Sequence, residues 1–230
     1  MSGFDVAVGA FFQAILDNAI GGRVLRAGTL INIIKLACGP VALALMVYYN
    51  CWTFTAKLYG VLHGSYGIMW VVKDHYFPDA QWNTMLSPVA VVLLSVWPLG
   101  LYWLPAYLIT SQRIEVGEWH MLLAVVLFVF GSLWHFGSDC QKYFTLANRK
   151  GLITDGFFRA TRNPNYLGEM MIYASFNILA RNHWIAWVHV LSVWLTLFRH
   201  GMVKKDVSLS RHPEFARYSQ TSGFLLPKVF

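Results

Sequence analysis

Asp139, Gln141 and Lys142 are followed by Arg149, Lys150, Arg159 and Arg162, and then by Asn165, Tyr166 and Glu169, between two long apolar runs. Arg199, His200, Lys204, Lys205 and Asp206 leave the last apolar run, with Arg211, Arg217 and Tyr218 beyond it. A guanidinium presents a planar fork to phosphate oxygens, while asparagine and glutamate can read amide and ribose hydroxyl groups. Such a set suits a phosphorylated or carboxylated cofactor entering from water. A solvated basic rim against anionic lipid headgroups uses the same residue types, so both readings stand at this level.

Two details favour a ligand. Glu169 stands one turn into an apolar segment, ahead of Met170, Met171 and Ile172; an ionisable group there needs a partner or a function. Asn163, Pro164 and Asn165 form a helix start, with Asn163 as cap and Pro164 at the first helical position. Free backbone amides and the positive end of the helix dipole then point at whatever covers Tyr166.

Other chemistries lack their residues. The eight histidines show none of the clustering that a di-iron hydroxylase requires, so no metal site is expected. The GxSxG elbow, the phosphate loop and the GxGxxG fingerprint are missing as well. Cys38, Cys51 and Cys140 form no CxxC pair and read as small packing residues.

The elements that position these residues must be membrane helices. The chain has 230 residues, 57% hydrophobic and only 13% charged, too apolar for an ordinary water-soluble domain. In lipid every backbone amide must be paired within its segment, so helices are the default. The fold expected is all-α: a polytopic membrane bundle of about six transmembrane helices, one domain over residues 1–230. Residues 3–20 alternate apolar and polar groups at helical spacing and read as an amphipathic interfacial helix, ended by Gly21 and Gly22. No basic region precedes it as in a signal peptide, and two acids disfavour a transit peptide.

Spans are expected at about 30–49, 52–72, 86–109 with a break at Pro98 and Pro105, 119–136, 165–180 and 184–198. Lys35 lies near enough to one end of the first to snorkel. The second is the least apolar, with Lys57, His63, Ser65 and Tyr66. The net charge of +7 is assigned to topology and an anionic small ligand rather than nucleic acid. Its basic clusters fall on one positive-inside face, cytoplasmic or matrix, with both termini.

DCQK at 139–142, GLITDGFF at 151–158, RNPNYLGE at 162–169 and KDVSLSRHPEFARYSQTSGFLLP at 205–227 resemble the C-terminal half of the steroid 5-alpha-reductase and sterol-reductase superfamily, most closely its DUF1295 branch. The fold is shared with isoprenylcysteine carboxyl methyltransferases. The reductase resemblance implies NADPH held by Lys142, Asn165, Tyr166, Glu169, Arg199 and His200, with Arg162, Asp206, Arg217 and Tyr218 as further contacts. The methyltransferase resemblance implies S-adenosylmethionine, but Lys205 and Asp206 stand where that arm carries a Glu-Glu pair. Asn163 replaces the histidine common to both arms. By the reductase pattern, residues 139–230 form the cofactor-binding half and residues 29–138 supply the proton donor for a reduced double bond. Tyr66 is the first candidate and His63 the second. The substrate implied is a hydrophobic lipid or steroid-like molecule entering from the bilayer. A further alternative is a catalytically inactive member serving as an accessory subunit of a larger membrane complex.

Overall fold

The computed structural model describes residues 2–18 and 20–228; Ala19, inside the expected amphipathic segment, lies outside them. Among the described residues the architecture is helical, apart from a two-residue antiparallel ladder and an isolated parallel bridge between Thr161 and Gly223.

The first helix, α1 (Gly3–Asp17), starts on a capping box. The Ser2 hydroxyl accepts from the Asp5 amide at 3.3 Å, and the Asp5 carboxylate accepts from the Ser2 amide at 3.1 Å, so amides that a helix start leaves free are satisfied. Gly21 and Gly22 turn the chain at φ +80° and +79°, the left-handed region that glycine enters without strain.

Helix α2 (Ala27–Tyr48) and helix α3 (Phe54–Tyr76) form an antiparallel pair. Their crossing is glycine-lined: a Cβ on Gly39 would lie 3.0 Å from the Cα of Gly64, and one on Gly67 would overlap the Lys35 carbonyl. Small residues at a crossing let helix backbones approach where lipid offers no hydrophobic drive. Leu25–Arg26 (β1) pairs with Met85–Leu86 (β2), tying the entry of α2 to the segment after α3.

The expected third span is two short helices, α4 (Pro88–Val96) and α5 (Leu104–Ser111). Pro98 cannot donate the next hydrogen bond, and Pro105 restarts the helix in its first turn. The expected fourth span is longer than its apolar stretch: α6 (Glu118–Asn148) runs for 31 residues, ~46 Å at 1.5 Å per residue. It carries Asp139 and Lys142 within the helix, about two turns before its end. Helix α7 (Pro164–Leu179) packs along α6, with Gly168 against the backbone of Gly131 and His135. Arg181 and Asn182, at φ +55° and +54°, make the hairpin into α8 (Trp184–Val193). A π-helical turn at 194–198 continues it into α9 (Arg199–Leu209), and a last helix, α10 (Phe215–Thr221), follows.

Of the six expected spans, two helices among the described residues are by themselves long and apolar enough to cross a membrane, Ala27–Tyr48 and Glu118–Asn148. The others are interrupted, short, or crossed by polar groups. The main core runs through most of the helices, and its aromatic part lies between α3, α6 and α7, where Tyr59, Tyr66, Phe128, Tyr173 and Phe176 are buried together.

Candidate functional site

At the centre of the bundle three helices contribute one polar group each. The Lys35 ammonium on α2 donates to the Tyr66 hydroxyl on α3 at 2.6 Å and to Glu169 Oε1 on α7 at 2.9 Å. Tyr66 donates to the same carboxylate oxygen at 2.8 Å. Lys35 is 2% exposed and Tyr66 fully buried. Two charges taken out of water are tolerated only with close geometry and further hydrogen bonds, and the phenol supplies those to both partners. The ammonium also sits 3.6 Å from the centre of the Trp70 ring, an attraction that strengthens without water. The expectation that Lys35 snorkels is corrected: its side chain turns inward, because Glu169 offers an opposite charge that the lipid interface would place farther away.

Around this group lie buried polar atoms without a partner. They are His63 Nε2, His135 Nε2, the Tyr173 hydroxyl, Asn165 Oδ1 and both amide atoms of Asn177. Asn165, Glu169, Tyr173 and Asn177 recur every fourth residue, so they form one slowly winding polar stripe on α7. His135 uses its Nδ1 on the Asn165 carbonyl at 3.0 Å and stacks on Trp70. His63 pairs its Nδ1 with the Tyr59 hydroxyl at 2.6 Å and stacks on Phe176.

Toward the basic end, four charges form a square. Lys73 Nζ lies 2.7 Å from Asp139 and 3.0 Å from Asp79, while Lys142 Nζ lies 2.5 Å from Asp79 and 3.4 Å from Asp139. Beyond it the C-terminal tail clasps the loop before α7. Arg162 pairs with Asp206 at 2.9 Å and donates to the Ser222 carbonyl at 2.7 Å. Asn163 Nδ2 donates to the Phe224 carbonyl and the Tyr218 hydroxyl to that of Phe158. Asn163 does not use its side chain to cap α7; the tail holds it instead. Lys205 donates to the Arg162 carbonyl at 2.7 Å. Burial, together with the nearby Lys142 charge, pushes its pKa down to about 8. Burial pushes the Tyr218 phenol up to about 12.

Arg199 and His200 are engaged elsewhere. Arg199 pairs with Asp5 of α1, and His200 Nδ1 meets the Asp5 carbonyl at 3.0 Å. The Ser2 hydroxyl bonded to Asp5 holds that carboxyl below the usual range, and Arg199 adds to the effect. Tyr166 packs on Phe198, its hydroxyl so close to Gly201 that a Cβ there would overlap it. Arg217 and Tyr218 line an open cleft of about 780 Å³ with Thr154, Arg159 and Glu214.

The residues predicted as one cofactor set therefore fall into four places. Asn165, Tyr166 and Glu169 share α7, and only Glu169 reaches the candidate donor Tyr66; His63 sits one turn before Tyr66 on α3. Lys142 belongs to the charge square, Arg162 and Asp206 to the tail clasp with Tyr218 and the neighbouring Arg217, and Arg199 and His200 to the α1 contact. NADPH fits part of this arrangement. The open polar atoms of Asn165, His135 and Tyr173 suit a carboxamide or ribose, and Arg159 and Arg217 suit phosphate, whereas Lys142, Arg162 and Arg199 already face carboxylates. Sequence reasoning missed Lys35, Lys73, Asp79, His135, Tyr173 and Asn177. Two signals pointed to some of them: a lysine within an apolar run and the four-residue spacing on α7.

No curated protein matches this chain. A family model described as "Protein of unknown function (DUF1295)" matches residues 79–222, which takes in Asp79, Asp139 and Lys142 of the charge square, all of α7 and the tail clasp as far as Ser222, but leaves Lys35, His63, Tyr66 and Lys73 outside. With well over half of its length so matched, the chain belongs to the DUF1295 family.

Proposed function

We propose that this chain is a membrane-embedded, NADPH-dependent reductase of a double bond in a hydrophobic lipid or steroid-like substrate. Tyr66, held between an ammonium and a carboxylate, carries that reading. Lys35 Nζ and Glu169 Oε1 both lie within hydrogen-bond reach of the phenol oxygen, so a proton that Tyr66 gives up can be returned from either. Such an acid suits the charge that develops when hydride enters a polarised double bond. NADPH would supply the hydride. Asn165 and Tyr166 would orient it, and the surrounding aromatic side chains would keep water out.

The outer surface supports membrane embedding. Only 33% of the apolar window of α2 and 28% of that of α6 are buried, unlike the core helices of a soluble protein. Ile33, Leu43 and Val47 on α2, and Val126, Val129 and Phe130 on α6, face outward. In the proposed topology α2, α3, the α4–α5 pair, α6, α7 and the run 184–198 each cross once. The square, the clasp and both termini then lie on the positive-inside face, and Glu115 and Arg181 on the other. α1 lies in the interface.

NADPH fluorescence on purified protein tests the reading. Micromolar binding, weakened by Asn165→Ala and by Arg217→Ala, is expected. Absence of binding, or variants that bind as tightly as wild type, would overturn it. S-adenosylmethionine, the methyltransferase alternative, is expected not to compete.

One observation favours a second reading, an inactive accessory subunit of a larger membrane complex. Lys142, Arg162 and Arg199 are each neutralised by a carboxylate of this chain, and Tyr66 is fully buried. Native mass spectrometry in mild detergent separates the two, because a cofactor-loaded monomer contradicts the subunit role.

A further inference from the structure

One face of α3 is polar and buried from end to end. Thr55, Tyr59, His63, Tyr66 and Lys73 are each at most 3% exposed, and their spacing keeps them on one side of the helix. The distance from Thr55 to Lys73 along the axis is ~27 Å at 1.5 Å per residue, close to the ~30 Å of a bilayer's hydrocarbon core.

Carboxylates stand at both ends of this stripe. The exposed Glu115 accepts from the Thr55 amide and hydroxyl at 3.3 and 3.2 Å. At the other end Lys73 meets Asp139 and Asp79, which share the half-exposed Lys142. Between them the Tyr59 hydroxyl bonds to His63 Nδ1, and Tyr66 bonds to Lys35 and Glu169.

Four interruptions separate these pieces: Thr55 from Tyr59 and His135 from Asp139, each pair one helical turn apart, and one on either side of Tyr66. The His63 and Tyr66 rings are 6.4 Å apart, and the Tyr66 and His135 rings 6.3 Å apart. Each of the two beside Tyr66 is flanked by a buried imidazole nitrogen without a partner, His63 Nε2 at one and His135 Nε2 at the other. The Tyr173 hydroxyl, also without a partner, belongs to a ring 5.9 Å from Tyr66. A stripe that served packing alone would gain nothing from open nitrogens there, since an unmet buried polar group is costly. An imidazole can accept a proton on one nitrogen and release one from the other.

The geometry points to a proton path across the membrane, from Glu115 by Tyr59 and His63 to the Lys35, Tyr66 and Glu169 group, and on by His135 to Asp139 and Asp79. Each step moves a proton along one of these hydrogen bonds or through a water that bridges one of the four interruptions. No electron is transferred, and every proton entering at one face leaves at the other. The titratable neighbours are Lys35 from α2, Tyr102 before α5, His135 and Asp139 from α6, and Glu169 and Tyr173 from α7. The inference rests on the membrane-crossing reading and is independent of the reductase reading.

The test uses the full chain in vesicles of phosphatidylcholine and phosphatidylglycerol with an internal pH dye, driven by a potassium gradient and valinomycin. Wild type is expected to acidify the vesicles several-fold faster than protein-free controls. His63→Phe and Glu169→Gln should return the rate to that of controls, and Tyr59→Phe, which removes a single oxygen, should slow it. Gel filtration in detergent confirms that each variant is folded. A wild-type rate equal to the control rate, or folded His63→Phe and Tyr59→Phe proteins as fast as wild type, overturns the path. Crossing is scored separately by an impermeant maleimide on Glu118→Cys and Lys150→Cys variants that lack Cys38, Cys51 and Cys140. Labelling from the same side overturns the crossing and the path with it, whereas labelling from opposite sides without flux overturns the path alone.

Discussion

The Lys35 ammonium lies 2.9 Å from the Glu169 carboxylate, although 134 residues separate them in the chain. The pair joins the N-terminal hairpin of α2 and α3 to α7 inside the family-matched region, so the two parts of the chain share one buried electrostatic contact. Removing one partner strands the other charge, with a cost of about 3–5 kcal/mol. Lys35→Met and Glu169→Leu are each expected to lower the thermal midpoint in detergent. The double variant should recover most of the loss, because two apolar side chains leave no stranded charge. A double variant as unstable as the sum of the singles would argue against direct coupling.

The α6–α7 contact depends on Gly168. Its missing Cβ lets α7 meet the backbone of α6 at Gly131 and His135, and a methyl group there would force the helices apart. Gly168→Ala is expected to cost about 1–3 kcal/mol, measured by denaturant unfolding followed through tryptophan fluorescence. Gly3→Ala, where a Cβ meets nothing within 4 Å, is the control and should change little.

Lys205 gives the tail clasp a pH dependence. Its folded pKa is about 8, below the ordinary lysine value of 10.5, so folding disfavours its charged form. The penalty is fully present below pH 8 and is relieved as the pH rises from about 8 toward 10.5, where the unfolded chain binds more protons than the folded one. Wild type should therefore gain stability relative to Lys205→Met between pH 7.5 and 10. Parallel pH curves for the two proteins would contradict this, and limited proteolysis of the tail reads the same difference locally.

Asp5 acts in the opposite sense. Its carboxyl is held below the usual carboxylate range, first by the Ser2 hydroxyl and then by Arg199. The stability it contributes is present above the ordinary carboxylate value and is lost as the pH falls through the lowered one. Acidification is expected to loosen α1 from α9, and Asp5→Asn to loosen it at neutral pH. Phe12 of α1 stacks on Trp97 at 5.8 Å, so a change in tryptophan emission reports the release.

Much of the helical order was legible in the sequence. Long apolar runs located α2 and α6, Pro98 and Pro105 predicted the break between α4 and α5, and Asn163-Pro164 marked the start of α7. These signals are local, because a helix satisfies its own backbone and proline withholds a donor wherever it stands. The C-terminal motifs likewise identified the family.

What Glu169 faces was decided only by the tertiary structure. The sequence showed that a carboxylate in an apolar helix must find a partner, but Lys35 is brought to it by the glycine-lined crossing of α2 with α3 and the docking of that hairpin on α7. Charge pairing behaved in the same way for Lys142, Arg162 and Arg199. Each residue type announced a basic group in the sequence, while the acid that neutralises it, Asp79, Asp206 or Asp5, lies on another segment. Coulomb attraction depends on distance through space, and distance in this protein is set by how its helices cross.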